Sequence, residues 1–354
     1  MKQYLHLPTL LTGTCLIILG TLAAWFLLER YEKLQKQNAQ NLDYQGVTIP
    51  ANYHIALPDS FSFCGEEVPL ENPEVAESFE KELYINVFRH SSTNLVLKRA
   101  QRFFPLIEKI LREEGLPEDL KYIAVIESDL ENVRSPAGAE GYWQFMPATA
   151  KEFSLEISKE VDERFHLEKA TRAAAQYFKR AHKRFGNWTN AAASYNNGMG
   201  GMRFSLRKQA LFSYYDVHLN QETARYIYRA LAMKEIMENP DKYGFQVEKN
   251  SKHYLPVAYQ VVKIDSTIQD LVTFARYFNM SYKTLKYHNP WLISSKLTNK
   301  DNKVYEIKIP TNPPALHSDK ILSKLRQQNG NHFQFDTLQD SLKSEQEEVF
   351  FEKE

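Results

Sequence analysis

The chain has 354 residues, which suits two or three folded units rather than one. Forty-four Lys plus Arg balance 44 Asp plus Glu, which excludes a nucleic-acid binder held by bulk charge. Two cysteines, Cys15 and Cys64, exclude a disulfide scaffold and a Cys-rich zinc module.

Leu7 to Leu28 is a stretch of 22 residues without a charge, about 33 Å as a helix, enough to cross a bilayer. Lys2 precedes it, so residues beyond about 30 are expected outside the cytoplasm. A cleaved signal peptide is the alternative, but Trp25, Phe26, Leu27 and Leu28 continue the apolar run past its cleavage site. The expectation is an N-terminal membrane anchor or signal segment over 1–30, at the periplasmic face of the cell envelope, with the inner membrane as the expected one. Residues 31–71 lack sustained periodicity and read as a spacer. Cys64, without an exported partner, reads as a buried or free thiol.

From 72 to 245 the pattern is helical. Phe103, Leu106, Ile107, Ile110 and Leu111 follow the spacing of one buried face. Gly115-Leu-Pro117 ends that helix and Pro117 opens the next, whose apolar residues lead to Glu127. A helix of small residues, Ala191 to Ala193, begins at Asn187-Trp188 and ends at Asn197-Gly198, and Asn220 caps another reaching about Met237. Beyond Pro240 the pattern predicts a strand over 259–264, helices over 268–278 and 282–287, and a strand over 304–309. This βααβ module, over 255–312, precedes a polar tail, 313–354, expected to be disordered. The fold class is mainly α, with a small C-terminal βααβ unit.

The chemistry concentrates in Ile126-Glu-Ser-Asp-Leu130 and Ser135-Pro-Ala-Gly-Ala-Glu-Gly-Tyr-Trp-Gln-Phe-Met-Pro147. A carboxyl at the end of an apolar helix is partly desolvated, which raises its proton affinity toward that of a general acid. Glu127 is therefore a candidate proton donor, though an isolated Glu there is more often a solvated helix end. Gly138 and Gly141 permit a tight loop, and Trp143, Gln144 and Met146 offer apolar faces and an amide to a sugar-binding cleft. Asp129 and Glu131 read as solvated or capping groups. No His-Glu-x-x-His or other metal spacing occurs, so no metal or organic cofactor is expected.

Glu127-Ser128, Gly141 to Pro147, Ser194-Tyr-Asn-Asn-Gly198 and Glu222-Thr-Ala-Arg-Tyr-Ile227 resemble, in order and spacing, the four motifs of the soluble lytic transglycosylase family, in an arrangement like its membrane-bound murein transglycosylase D branch. Ser194 and Asn197 stand where that family usually has alanines, and Tyr142 where Leu is common. The resemblance implies a lysozyme-like α fold that cuts the β-1,4 bond between N-acetylmuramic acid and N-acetylglucosamine in peptidoglycan. It implies Glu127 as acid and then base, the Tyr195 hydroxyl on the Glu127 carboxyl, and Asn196 and Gln144 on substrate amides and hydroxyls. Ser128, Ser135, Gly141, Met146, Glu222 and Tyr226 are the remaining binding or supporting candidates; Glu222 can equally be a first-turn acid or a partner of Arg225. A lysozyme-type hydrolase and a non-catalytic peptidoglycan-binding protein stay open as alternatives. The 259–310 region resembles a LysM glycan-binding module, with Asp265-Ser-Thr-Ile268 replacing its usual Gly-Asp-Thr-Leu turn. Asn289 and Trp291 are candidate glycan contacts there, or structural residues. Peptidoglycan strands, the membrane through 7–28 and enzymes of wall synthesis are the expected partners, and no nucleic acid.

Overall fold

A computed structural model describes residues 25, 27–33, 54–246 and 254–320. Residues 1–54 form one unit and 55–354 another. In the first, residues 27–33 are helical and exposed, and most of the expected anchor over 7–28 lies outside the described residues. Among those described, no helix is long and apolar enough to cross a membrane.

The second unit opens with a two-stranded antiparallel ribbon, β1 (Ser62–Phe63) and β2 (Glu66–Glu67). Helices α1 (Pro73–Phe88) and α2 (His90–Glu113) follow, then α3 (Lys121–Ser128) and α4 (Pro147–Glu152). The long helices α5 (Leu167–Phe185), α6 (Trp188–Lys208) and α7 (Gln221–Glu238) complete the helical body. Pro73 opens α1 behind the Asn72 cap, whose side chain accepts from the Glu74 amide at 3.0 Å. Asn187 and Asn220 cap α6 and α7 in the same way. Ala191, Ala192 and Ala193 are fully buried, and these short side chains let α5 and α6 approach closely. Gly198, at φ 70° and ψ 147°, breaks α6 midway, where the sequence predicts its end; the turns beyond it resume as helix.

Residues 55–71 are not a spacer. Ile55, Phe63 and Val68 are buried, and the Glu66 carboxylate accepts from the backbone N–H groups of Trp188 and Thr189 at the start of α6. An acid from a distant ribbon thus satisfies orphan donors at a helix N-terminus. Cys64, buried and free, donates its amide to Asp119 at 2.7 Å, and Asp119 also takes the Lys234 ammonium at 2.8 Å.

The C-terminal module contains β3 (Tyr259–Ile264), α8 (Leu271–Tyr277), α9 (Tyr282–His288) and β4 (Tyr305–Pro310). The two strands pair antiparallel, from Tyr259 opposite Pro310 to Ile264 opposite Tyr305. Its core gathers Leu271, Phe274, Leu285, Trp291 and Ile307, and Val161 of the helical body belongs to the same cluster. Val161 bridges to Leu292 as a short ladder. The Asp162 amide donates to the Trp291 carbonyl, and the Ile293 amide to that of Glu160, both at 2.9 Å. Lys308 pairs with Glu168 across the same joint. The module is docked on the 156–168 segment.

Asn289 and Trp291 take up the structural one of their two expected roles, both being buried in the module. Asn289 is fully buried, its amide tied to the Leu285 carbonyl and to both backbone groups of Lys308. Trp291 is 3% exposed and stacks on Tyr305. Both side chains hold the module together.

Candidate active site

Helix α3 carries five consecutive buried residues, Tyr122 to Ile126, and delivers Glu127 at its last turn. The chain then reverses sharply: Asp129 and Leu130 take φ 52° and 57°, a left-handed pair that non-glycine residues adopt at a cost. Gln144, across the loop, has φ 48°. Backbone strain therefore gathers at the two segments beside Glu127.

Burial pushes the Glu127 carboxyl up to about 7, against a hydrogen bond from Tyr226 and the positive charge of Arg229, with the negative Glu222 adding to the rise. The Tyr226 hydroxyl donates to Glu127 Oε1. Arg229 donates to the Ile126 carbonyl at 2.6 Å, which holds its cation beside the helix end. The Tyr195 hydroxyl, expected on Glu127, donates instead to the Trp143 carbonyl at 2.8 Å. Its phenol is buried, and its proton affinity is raised by that burial and by nearby Glu127. Tyr195 thus packs beside the carboxyl while Tyr226 bonds it.

Asn196 joins the two remaining motifs. Its amide nitrogen donates to Glu222 Oε1 at 2.9 Å, and its oxygen accepts from Thr223 Oγ1 at 2.7 Å. Glu222 is therefore tied to Asn196, while Arg225 pairs with Glu82 on α1. Asp129 pairs with Arg89 and Glu131 with Arg99, so these two carboxylates are ion-paired rather than merely solvated.

The loop over 134–146 is held rigidly. Ser135 Oγ accepts from the Ala139 amide at 2.9 Å and shapes the turn. Ser128 Oγ, buried, donates to the Tyr142 carbonyl at 2.8 Å and locks α3 to the loop. Gly141, at φ 82°, lies so close to its neighbour that a Cβ would sit 1.9 Å from the Arg164 carbonyl oxygen. The Gln144 amide nitrogen is used internally, on the Gly141 and Val133 carbonyls. Met146 is 44% exposed and offers an apolar surface. Trp143 does not: it is fully buried, donates to Thr171 Oγ1 at 2.9 Å and packs edge-on against Tyr195.

Arg164 and Arg229 were not singled out from the sequence. The Arg164 guanidinium is buried among Asp162, Glu140 and the carbonyls of Gly138 and Phe145, and nothing local in sequence reveals such a hub. Arg229 had a signal: Glu222, Tyr226 and Arg229 stand at i, i+4 and i+7 on one helix face. Among the described residues, no group of three or more His, Cys, Asp or Glu is arranged to hold a metal ion.

The model of the transglycosylase SLT domain matches residues 104–216, which include Glu127, the Gly141 loop, Tyr195 and Asn196 but stop before Tyr226. The model of the soluble lytic transglycosylase C-terminal LysM-like domain matches residues 260–313. The membrane-bound lytic murein transglycosylase D of Escherichia coli (strain K12) is 27% identical over 198 residues, 53% of this chain and 43% of that protein. The chain thus corresponds to less than half of that relative's length. A protein of Alteromonas sp. (strain M-1) named for tributyltin chloride resistance is 38% identical over 104 residues, 29% of this chain and 50% of its own. The solved 70 kDa soluble lytic transglycosylase of Escherichia coli is 20% identical, with 51% of this chain and 38% of that one covered and a TM-score of 0.34. The chain carries a transglycosylase SLT domain followed by a LysM-like C-terminal domain, and it is homologous to membrane-bound lytic murein transglycosylase D.

Proposed function

We propose that the chain is a peptidoglycan lytic transglycosylase, cleaving the bond between N-acetylmuramic acid and N-acetylglucosamine and leaving 1,6-anhydromuramic acid ends. The observation that carries this reading is the Glu127 carboxyl, pushed by burial up to about 7 in a segment matched by the SLT domain. A carboxyl of that affinity is available as an acid and, once deprotonated, as a base near neutral pH.

In the first step Glu127 protonates the glycosidic oxygen as the bond to C1 breaks, and the 2-acetamido group of the muramic acid stabilises the positive charge at C1. Glu127, now a carboxylate, takes the proton of the muramic acid 6-hydroxyl, whose oxygen closes onto C1. Water is not consumed. Burial favours the protonated carboxyl that the first step needs, and the Tyr226 hydrogen bond with the Arg229 charge supports the carboxylate that the second step uses. One carboxyl suffices, whereas glycoside hydrolases ordinarily need two. The neighbouring acids suit that economy: Asp129 and Glu131 are held by arginines and Glu222 by Asn196. Asn196 and Met146 then serve as substrate contacts, with Gln144, Ser128, Ser135 and Gly141 shaping the loop.

The location that goes with this activity is the cell envelope, in keeping with the name of the membrane-bound relative and with the uncharged stretch over 7–28, which we assign as a membrane anchor. The test is turnover of purified peptidoglycan by the full chain and by Glu127→Gln. Loss of the acid is expected to lower the rate about a thousandfold or more; a variant that lyses as well as the parent removes Glu127 from the chemistry.

A further inference from the structure

The segment that receives the LysM-like module also holds the loop beside Glu127, and Asp162 stands where the two meet. Its amide donates to the Trp291 carbonyl of the module at 2.9 Å. Its carboxylate accepts from Arg164 at the backbone amide, 3.1 Å, at Nε, 3.0 Å, and at Nη2, 2.7 Å. Both side chains are buried. Arg164 Nη1 then donates to the Gly138 carbonyl at 2.9 Å and to the Phe145 carbonyl at 3.2 Å, and Nη2 lies 3.1 Å from the Glu140 carboxylate. The Arg164 carbonyl completes the contact, because Gly141 packs against it too tightly for any side chain. Every partner of this guanidinium is either in the loop or is Asp162.

The turn that carries Asp162 is gripped from the module side. Glu156 accepts from the Tyr305 hydroxyl at 3.2 Å and pairs with Lys303, while its own amide donates to the Glu163 carboxylate at 2.9 Å. Ile157 bridges to Asp162 within the turn, and Val161 bridges to Leu292 of the module. The module thus fixes the Asp162 backbone, and the Asp162 carboxylate fixes the plane of the Arg164 guanidinium.

The loop needs such a clamp. Gln144, inside it, holds φ 48°, a conformation that persists only where the surroundings enforce it. The Tyr142 carbonyl takes the Ser128 hydroxyl next to Glu127, and the Trp143 carbonyl takes that of Tyr195, so a displaced loop disturbs the residues packed around the carboxyl. Continuous hydrogen-bond networks of this kind carry coupling between separate parts of a fold. We propose that the docked module positions the loop beside Glu127 through Trp291, Asp162 and Arg164, and that Arg164 is a positioning residue for turnover. The effect on turnover rests on the function proposed above; the effect on the loop does not.

The test uses the full chain, with amide exchange and with kinetics on soluble peptidoglycan fragments. Leu292→Asp puts a charge into the joint from the module side, and Lys308→Glu sets like charges against Glu168. Each is expected to quicken exchange in β3, β4 and the 138–145 loop while α5 and α7 keep their protection. Each is also expected to lower kcat roughly ten- to a hundredfold with KM little changed, as a small misplacement at a reacting centre does. If Leu292→Asp unfolds the helical body as well, Lys308→Glu carries the test. Arg164→Lys keeps the charge but loses the planar fork, and should loosen the loop and lower kcat with the module still docked. The double variant Leu292→Asp, Arg164→Lys should fall no further than its weaker parent, since both changes break one chain of contacts. Lys263→Ala, which removes an exposed ion pair between β3 and β4, should leave the loop and kcat unchanged. A loop that keeps its protection in Arg164→Lys or when the module is released, a rise in KM alone, or independent losses in the double variant overturns the proposal. Exchange needs no turnover: a responsive loop in a chain without lysis defeats the proposed function and keeps the coupling, and lysis with an unresponsive loop does the reverse.

Discussion

The Tyr226 hydroxyl donates a hydrogen bond to Glu127 Oε1, so a residue in the second turn of α7 sets the proton affinity of a carboxyl at the end of α3. Burial raises that affinity, and Tyr226 works against it. Tyr226→Phe removes the opposing bond, so the Glu127 pKa rises further and the alkaline fall of kcat/KM moves to higher pH. Glu222→Gln removes a negative charge that adds to the rise, so the same limb moves to lower pH. Opposite displacements in the two pH–rate profiles are the expected result; displacements of the same sign contradict the assignment.

The same carboxyl makes stability depend on pH. Its folded pKa of about 7 exceeds the ordinary value near 4.5, so between these values the folded chain keeps a proton that the unfolded chain has released. Stability falls as pH rises through that window, by up to roughly 3 kcal/mol. Glu127→Gln removes this loss. Thermal melts should show the variant more stable than the parent at about pH 8, with the difference gone at about pH 4.

Gly141 and Gly138 have similar backbone angles, φ 82° and 88°, but different surroundings. A methyl at Gly141 meets the Arg164 carbonyl, whereas one at Gly138 meets nothing within 4 Å. Gly138→Ala should cost about 1 kcal/mol, the backbone strain alone, and Gly141→Ala about 3 kcal/mol or more. Urea unfolding of the two variants measures both.

Val161 lies in the helical body's sequence but in the module's core. Val161→Asp places an unpaired charge among Trp291, Leu292 and Ile309 and should release the module. Amide exchange is expected to quicken in β3 and β4 while α5 and α7 keep their protection. Uniform loss of protection in all four elements contradicts a docked but separable module.

Much of this fold was legible in the sequence because its signals are local. Gly115-Leu-Pro117, Asn187 and Asn220 mark helix ends by turn and cap chemistry, and the strand over 259–264 matches β3 because its tyrosine, valines and isoleucine favour extended backbone. Residues 55–71 were not legible, since two-residue strands are too short to carry a pattern and their anchor, Glu66 on the start of α6, spans 122 positions. The identity of the phenol on Glu127 was hidden for a related reason. Tyr195 and Tyr226 both sit on buried helix faces, and only the packing of α7 against α3 decides which hydroxyl arrives. For Asn289 and Trp291 the sequence left two roles open, glycan contact or structure, because an Asn and a Trp beside a turn suit either; the amide bridges α9 to β4 and the indole stacks in the core.

The mass of the muropeptides released from purified peptidoglycan tests the central claim most directly. A reaction in which Glu127 regains its proton from the muramic acid 6-hydroxyl yields 1,6-anhydro ends, each lighter by one water than a hydrolysed end. Reducing muramic acid ends in their place would mean that water reaches C1, and the single-carboxyl account would be wrong.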